Sequence, residues 1–451
     1  MRHRDITQWR LSNLSTSTGI TSLVIVALAP AVAWALATEN WLVLAGLGSI
    51  AVLPIVATWP VASTLGLYAL CTSSLDVFPL LPGGATITKL VGVVAAGALL
   101  SAGLIERRLT TPPRAALWWG AFMVWAMLSA AWALDITLAV QWLPKALSFV
   151  VLYLVTVSFK PTPREVFWVC VLTVIGGALA GVLTYTIGFD ADAQIKAARA
   201  KLTLGDMVSN PNALGRMLLL PLSLAIAGFV DLRGALKRGL AAGCIALITI
   251  GIYLCMSRAA IVAMFVILSV FVYRLRASRY AVAAMVLLLA LTLAMPDAFY
   301  QRIGSVASGD DPTGSGRTEI WAITWHSLPN FAFVGAGLNN FARVYEGYIG
   351  SAAFSGGAHN IYLMVAVELG LVGLVLMLAA LFEHFLAARR ARIAGRDGTI
   401  LTAAEAACFG IVTTAFFGDT LWTKPFWLAW MILIWSINSG GSDRSSVRSI
   451  T

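Results

Sequence analysis

Apolar runs long enough to cross a bilayer, separated by short polar or basic breaks, organise the chain from about residue 20 onward. They fall at about 20–37, 41–58, 60–75, 88–105, 115–133, 141–158, 165–188, 211–230, 237–256, 259–275, 279–296, 359–386, 400–418 and 425–438. Each predicts a helix, because only helices and closed barrels satisfy their backbone groups in lipid. The fold class is therefore all-α, a polytopic helical membrane protein with about 12–14 transmembrane helices. Thr58-Trp59-Pro60 joins the second and third runs without a charge, and the third is short. Merging or re-entrance there gives the lower count. No repeat or Pro/Ser-rich linker divides the chain, so residues 1–451 read as one membrane domain.

Two stretches interrupt the pattern. Residues 189–210 are mixed in charge and predict a partly helical loop. Residues 296–358 form one large insertion. Within it, Gly309 to Gly316 is turn-rich. Ile320, Trp321, Thr324, Trp325 and Leu328 recur at helical spacing and predict a short amphipathic helix from Arg317. Gly335-Ala336-Gly337 breaks the chain, and Asn339 to Tyr348 predicts a second short helix with Phe341 and Tyr345 on one side. Small aromatic-bearing helices of this kind suit a lid or an acceptor groove.

Composition agrees with the pattern. Hydrophobic residues make up 59% and charged residues 12%, against about 25% charged in a soluble domain. The net charge of +10 reports topology and contact with anionic lipid rather than nucleic acid. Most Lys and Arg residues, including Arg107, Arg108, Arg164, Arg233, Arg274 and Arg389 to Arg396, fall in loops that the positive-inside rule makes cytoplasmic. The insertion 296–358 is then periplasmic. The five cysteines lie in or at the ends of apolar runs, with no Cys/His cluster, so neither a disulfide framework nor a zinc site is expected. The basic segment Met1 to Arg10 precedes a full-length run without a clear small-residue cleavage site, which reads as a retained first helix.

The remaining cations carry the functional signal. Lys89, Lys145, Lys196, Arg199, Lys201, Arg216, Arg258, Arg302, Arg317, Arg343 and Lys424 fall on the outer side or in the outer ends of helices. Cations there are costly and usually serve a polar cavity, so together they suggest an anionic ligand. Gly314-Ser315-Gly316-Arg317 is a Gly-rich turn entering a helix, good chemistry for a phosphate oxygen although not a P-loop. The bland reading is a turn with Arg317 paired to Glu319 or Asp311. Arg258, after Ser257, lies between two apolar runs; the bland reading is a snorkelling side chain. Arg216 sits one turn inside a helix opened by Pro211, with Asn212 at its start. The bland reading there is an ion pair with a carboxylate. Lys89, Lys145 and Arg343 are further candidate anion contacts, and Tyr345 a candidate glycan contact.

His359-Asn360 opens another helix. The dipole disfavours an imidazolium at that end, and a neutral imidazole can take a proton from an attacking hydroxyl. The bland reading is a capping His. Glu368, deeper in the same helix, is assigned to packing. Asp190-Ala191-Asp192 has the D-x-D spacing of some metal-dependent transferases, but is too short to carry a metal site.

Together these pieces resemble the O-antigen ligase and O-antigen polymerase family of bacterial inner-membrane glycosyltransferases. The resemblance covers about 205–380: Asn210-Pro211-Asn212-Ala213-Leu214-Gly215, Ser257-Arg258, Ser315-Gly316-Arg317 with Ile320-Trp321, Pro329 with Gly335-Ala336-Gly337, and His359-Asn360 with Gly370 and Gly373. It implies a donor glycan on undecaprenyl diphosphate and an acceptor that is lipid A–core or another lipid-linked glycan. It also implies transfer with inversion and no metal or other cofactor. In that picture Arg258 and Arg317 hold the diphosphate and His359 activates the acceptor. Beside it, the residues themselves make Arg216, Asn212, Lys89, Lys145, Arg343, Tyr345 and Asn360 the expected substrate contacts. Ligase and polymerase remain equal alternatives. A flippase or transporter for an anionic lipid-linked substrate is the rival from another class. It would more often show repeated halves and broken helices at mid-membrane.

Overall fold

The computed structural model describes residues 60–74, 86–186, 203–204, 207–208, 210–275, 317–350 and 356–439, with Val286, Leu293 and Tyr300 as single helical residues. The runs at 20–37 and 41–58, nearly all of 279–296, the Asp190-Ala191-Asp192 spacing, and Gly314 to Gly316 lie outside these residues. So do Lys196, Arg199, Lys201 and Arg302.

The described chain is built from helices. In order they are α1 (Pro60–Ser74), α2 (Ile87–Ile105), α3 (Arg114–Leu128), α4 (Ile136–Ser158), α5 (Pro163–Thr186), α6 (Pro211–Met217), α7 (Leu219–Asp231), α8 (Ala235–Leu254) and α9 (Arg258–Arg274). After the insertion begins come α10 (Arg317–Ser327), α11 (Phe341–Ile349), α12 (Ile361–Ile393), α13 (Thr399–Ala415) and α14 (Lys424–Ser439). Six of the segments are long and apolar enough to cross a membrane: α2, α4, α5, α6 with α7, α8, and α12. The protein is thus an all-α polytopic membrane protein. In the loop 189–210, Thr203 pairs opposite Val208 and Leu204 opposite Met207 in a two-stranded hairpin, and the part of it expected to be helical lies outside the described residues.

α14 is the axis of the bundle. It packs against α1, α4, α5, α12 and α13, and it is buried from Phe426 to Ile437. A helix that is apolar on every side belongs in such a position. Trp427, Trp430 and Trp435 are fully buried along it, and Trp435 Nε1 donates to the Thr156 carbonyl at 2.6 Å.

The basic clusters gather at one end of the bundle. Arg108 is paired with Glu165 and Glu106 there. Glu405, almost fully buried at the start of α13, accepts from Arg274 at 2.7 Å and Arg392 at 2.6 Å, joining α9, α12 and α13. Truncating Glu405 would leave two partly buried guanidiniums facing each other. His359, Asp419 and the starts of α6, α9 and α10 lie at the other end.

Residues 332–341 of the insertion are tied to the bundle by hydrogen bonds. α12 is not one continuous helix. Gly370 adopts φ 66°, ψ −170° and breaks it. Residues 332–337 enter the break: the Ala336 and Gly337 N–H groups donate to the Val367 and Glu368 carbonyls at 2.8 Å, and Leu371 N–H donates to the Ala332 carbonyl at 2.7 Å. Each buried backbone group left unpaired would cost about 1–3 kcal/mol, so segment and break need each other. Gly370 and Gly335 both have positive φ, and a Cβ on either would strike the other strand of this contact. Glu368 then accepts from Asn339 N–H at 3.0 Å and Phe341 N–H at 3.2 Å, fixing the start of α11. This is the packing role expected of it. Asn340 side-chain bonds to Asp135, and Leu338 N–H bonded to Ser129 Oγ, complete the anchorage.

Candidate functional site

Two turns with strained backbones face the same end of the bundle. Met256, before Ser257-Arg258, has φ 46°, and His359 has φ 52°. The left-handed region costs a non-glycine residue on the order of 1 kcal/mol or more, and it is retained where the surroundings fix it.

His359 precedes the cap of α12. Asn360 is the cap, with Oδ1 accepting from Tyr362 N–H at 3.0 Å and Leu363 N–H at 3.2 Å. This uses the Asn360 carbonyl oxygen for structure. His359 Nδ1 lies 3.2 Å from Asp419 Oδ2. A carboxylate only accepts, so a proton on Nδ1 satisfies this contact and leaves Nε2 facing away from it. His359 is about one-third exposed, so Nε2 is within reach of a substrate.

Asp419 also links Arg216 to the histidine. Arg216 is partly buried and within electrostatic reach of both Asp419 and Arg317. Its guanidinium lies directly against Gly418, where a Cβ would collide with it. Gly357 makes the matching close approach on the other side, with its Cβ position 2.5 Å from Asp419 Oδ2. The bland reading of Arg216, a buried cation balanced by a carboxylate, is therefore partly realised, with Asp419 as the carboxylate.

Arg317 opens α10, whose place is set by Trp321 one turn on. Trp321 Nε1 donates to the Ala358 carbonyl at 2.8 Å, so the start of α10 stands beside the residue before His359. Arg258 opens α9. The turn that carries it packs on α6: the Cβ position of Gly215 is 3.1 Å from Ala260 Cβ and 3.3 Å from Ser257 Cβ. Arg258 thus enters the bundle next to the helix that holds Arg216. Ser257 Oγ, Thr420 Oγ1 and Asp419 Oδ1 are buried here without a hydrogen-bond partner among the described residues. Buried polar atoms are normally paired, so each of the three has hydrogen-bonding capacity left to fill.

The other sequence candidates are dispersed. Asn212 is in the first turn of α6, where its N–H is taken by the Asn210 cap. Lys89 is exposed at the start of α2. Lys145 was expected at an outer helix end, but Asp135 caps α4 five residues earlier than the apolar run begins, which puts Lys145 well inside the helix. Its ammonium lies 3.8 Å from the centre of the Trp142 ring. Arg343 is engaged by Asp135 and Glu346, both at 3.0 Å. Tyr345 is buried and stacked on Phe341; burial, then the Glu319 carboxylate, pushes its phenol up. These positions lie apart from one another, while His359, Asp419, Arg216, Arg317 and Arg258 gather at one end.

One substitution separates placement of Arg216 from folding. Gly418→Ala adds a methyl where the flexible end of Arg216 now lies. The guanidinium can move aside, so helix content and melting behaviour should stay near wild type. If Arg216 serves the site, activity should fall several-fold or more. Unchanged turnover would show that the position of Arg216 does not matter.

Residues 243–378 match the family model described as O-Antigen ligase. The match spans Arg258, Arg317 and His359 and supports assignment to the O-antigen ligase and polymerase family. No curated protein matches the chain.

Proposed function

We propose, with the O-antigen ligase match as premise, that this chain is a membrane glycosyltransferase of O-antigen or related glycan assembly. It moves a glycan from a polyprenyl diphosphate, undecaprenyl diphosphate in the family it resembles, to an acceptor hydroxyl. The observation that carries the reading is the convergence of Arg216, Arg258 and Arg317 with the His359–Asp419 pair at the end of the bundle away from the basic clusters. By the positive-inside rule those clusters face the cytoplasm, so the site faces the periplasmic side of the bacterial inner membrane.

The chemistry follows from the charges. Arg258 and Arg317 hold the diphosphate and stabilise the charge that grows on the departing phosphate oxygen. His359 Nε2 takes the acceptor proton as the hydroxyl oxygen attacks the anomeric carbon. Attack from the face opposite the leaving group inverts the anomeric centre. The glycosyl–phosphate bond is already activated, so neither a nucleotide nor a metal enters the scheme. Asp419 orients the imidazole and fixes its tautomer, and Arg216 holds Asp419.

The transport reading has one observation in its favour, the break in α12 at Gly370. That break is closed by the backbone of 332–337 rather than left open to a substrate, which favours the enzyme. The test is the purified protein in lipid vesicles with a polyprenyl-diphosphate-linked glycan. Product on lipid A–core identifies a ligase, and chain growth on a second lipid-linked repeat identifies a polymerase. Movement of the donor across the bilayer without any new glycosidic bond would overturn the proposal in favour of transport.

A further inference from the structure

α10 begins at the proposed diphosphate residue and carries a stripe along one flank. Arg317, Trp321 and Trp325 are four residues apart, so they lie on one side of the helix, each turned slightly from the last. The stripe passes from Arg317, through the Trp321 indole pinned beside His359, to Trp325, which is 64% exposed. From Arg317 to Trp325 is roughly 12 Å along the axis. A glycan leaving the diphosphate covers that distance with its first few sugars.

We propose that Trp325 is a stacking platform for a sugar ring of the donor glycan, one that lies beyond the ring undergoing transfer. The proposal rests on the glycosyltransferase reading above and adds a residue that recognises the glycan rather than the diphosphate. A pyranose presents a face of C–H groups with small positive charge, and an indole presents a broad face of negative potential. An exposed tryptophan at the outer side could instead anchor the protein in the lipid interface. A membrane-lying face would carry several large apolar side chains. The exposed side of α10 carries Thr318, Glu319, Ala322, Trp325 and His326, with Trp325 its one large apolar member. Continuity with Arg317 and the polar surroundings both favour a glycan.

The test compares two donors with the intact protein in vesicles: polyprenyl diphosphate bearing a single sugar, and polyprenyl diphosphate bearing an oligosaccharide repeat. Trp325→Ala should lower kcat/KM for the repeat by about tenfold, near the upper range of an aromatic contact. The loss should be markedly smaller for the single sugar, and Trp325→Phe should recover most of it. Phe333→Ala removes the exposed aromatic of the anchored segment, 74% exposed, and controls for membrane anchoring. An equal loss on both donors, no loss on either, or the same loss from Phe333→Ala would overturn the proposal. If wild-type protein transfers neither donor, the glycosyltransferase reading itself fails and this one falls with it; activity on either donor keeps the two failures apart.

Discussion

His359→Ala protein should fold, insert and bind donor, and its turnover should fall by on the order of 10²–10⁴, the usual loss on removing a general base. The His359–Asp419 contact sharpens this expectation. With Nδ1 facing Asp419 Oδ2 at 3.2 Å, the basic nitrogen is Nε2, and it is held in one orientation. His359→Gln should not restore turnover, since an amide can bond to the acceptor but cannot take its proton. Asp419→Asn should leave donor binding nearly intact and lower turnover by less than the histidine change. An asparagine amide can donate to Nδ1 and favour the tautomer with the proton on Nε2, where it blocks the base. Donor Kd and kcat measured separately decide the matter. Near-normal turnover in the Gln protein would show that His359 only shapes the start of α12. A large rise in donor Kd for the Asn protein would move Asp419 from the histidine to the diphosphate region.

The histidine was legible in the sequence and its partner was not. His359 stands beside an Asn cap at the start of a long apolar run, a local signal. Asp419 lies sixty residues later, beyond a further helix. It reaches His359 only because α13 runs back antiparallel to the deeper part of α12. The single local sign was Gly418-Asp419 just past an apolar run that ends on the outer side. Without it, the sequence reading set the protonation of His359 from the helix end alone. The same limit explains Gly335, Gly337 and Gly370. Each marks a break in the sequence, but that the 332–337 segment fills the break at Gly370 is a long-range pairing no local pattern carries. Helix positions were legible wherever residues are described, because twenty apolar residues in lipid leave the backbone few other options. One start was not. Asp135 caps α4 ahead of its apolar run, and the displaced start turned Lys145 from a surface cation into a mid-helix one. The charge of Arg343 and the ring of Tyr345 show in a sequence, whereas the ion pair with Asp135 and the stacking on Phe341 do not.

Arg317→Ala and Arg258→Ala should each abolish measurable transfer, and for Arg317 the donor should bind more weakly by roughly 1.5–3 kcal/mol, the range for a charge-assisted hydrogen bond. That is about a ten- to hundredfold rise in donor Kd. The two arginines open helices on different segments, α10 and α9, and they approach the same end of the bundle from two sides. A diphosphate offers oxygens to both. Arg→Lys at either position keeps the charge but loses the planar fork that grips two oxygens, so partial activity is the most it should allow. The kinetic pattern should differ from that of His359. A base acts on the acceptor, so its loss appears in kcat with donor Kd unchanged. An arginine that holds the diphosphate in the ground state and follows it as the leaving group affects both. Donor Kd can be read by titrating a polyprenyl-diphosphate glycan into protein that also carries His359→Ala, which blocks turnover during the measurement. Wild-type-like Kd in both alanine proteins would remove Arg258 and Arg317 from the donor site. The partly buried Arg216 against Gly418 would then be the cation left to hold the diphosphate, and the site would have to be redrawn around it.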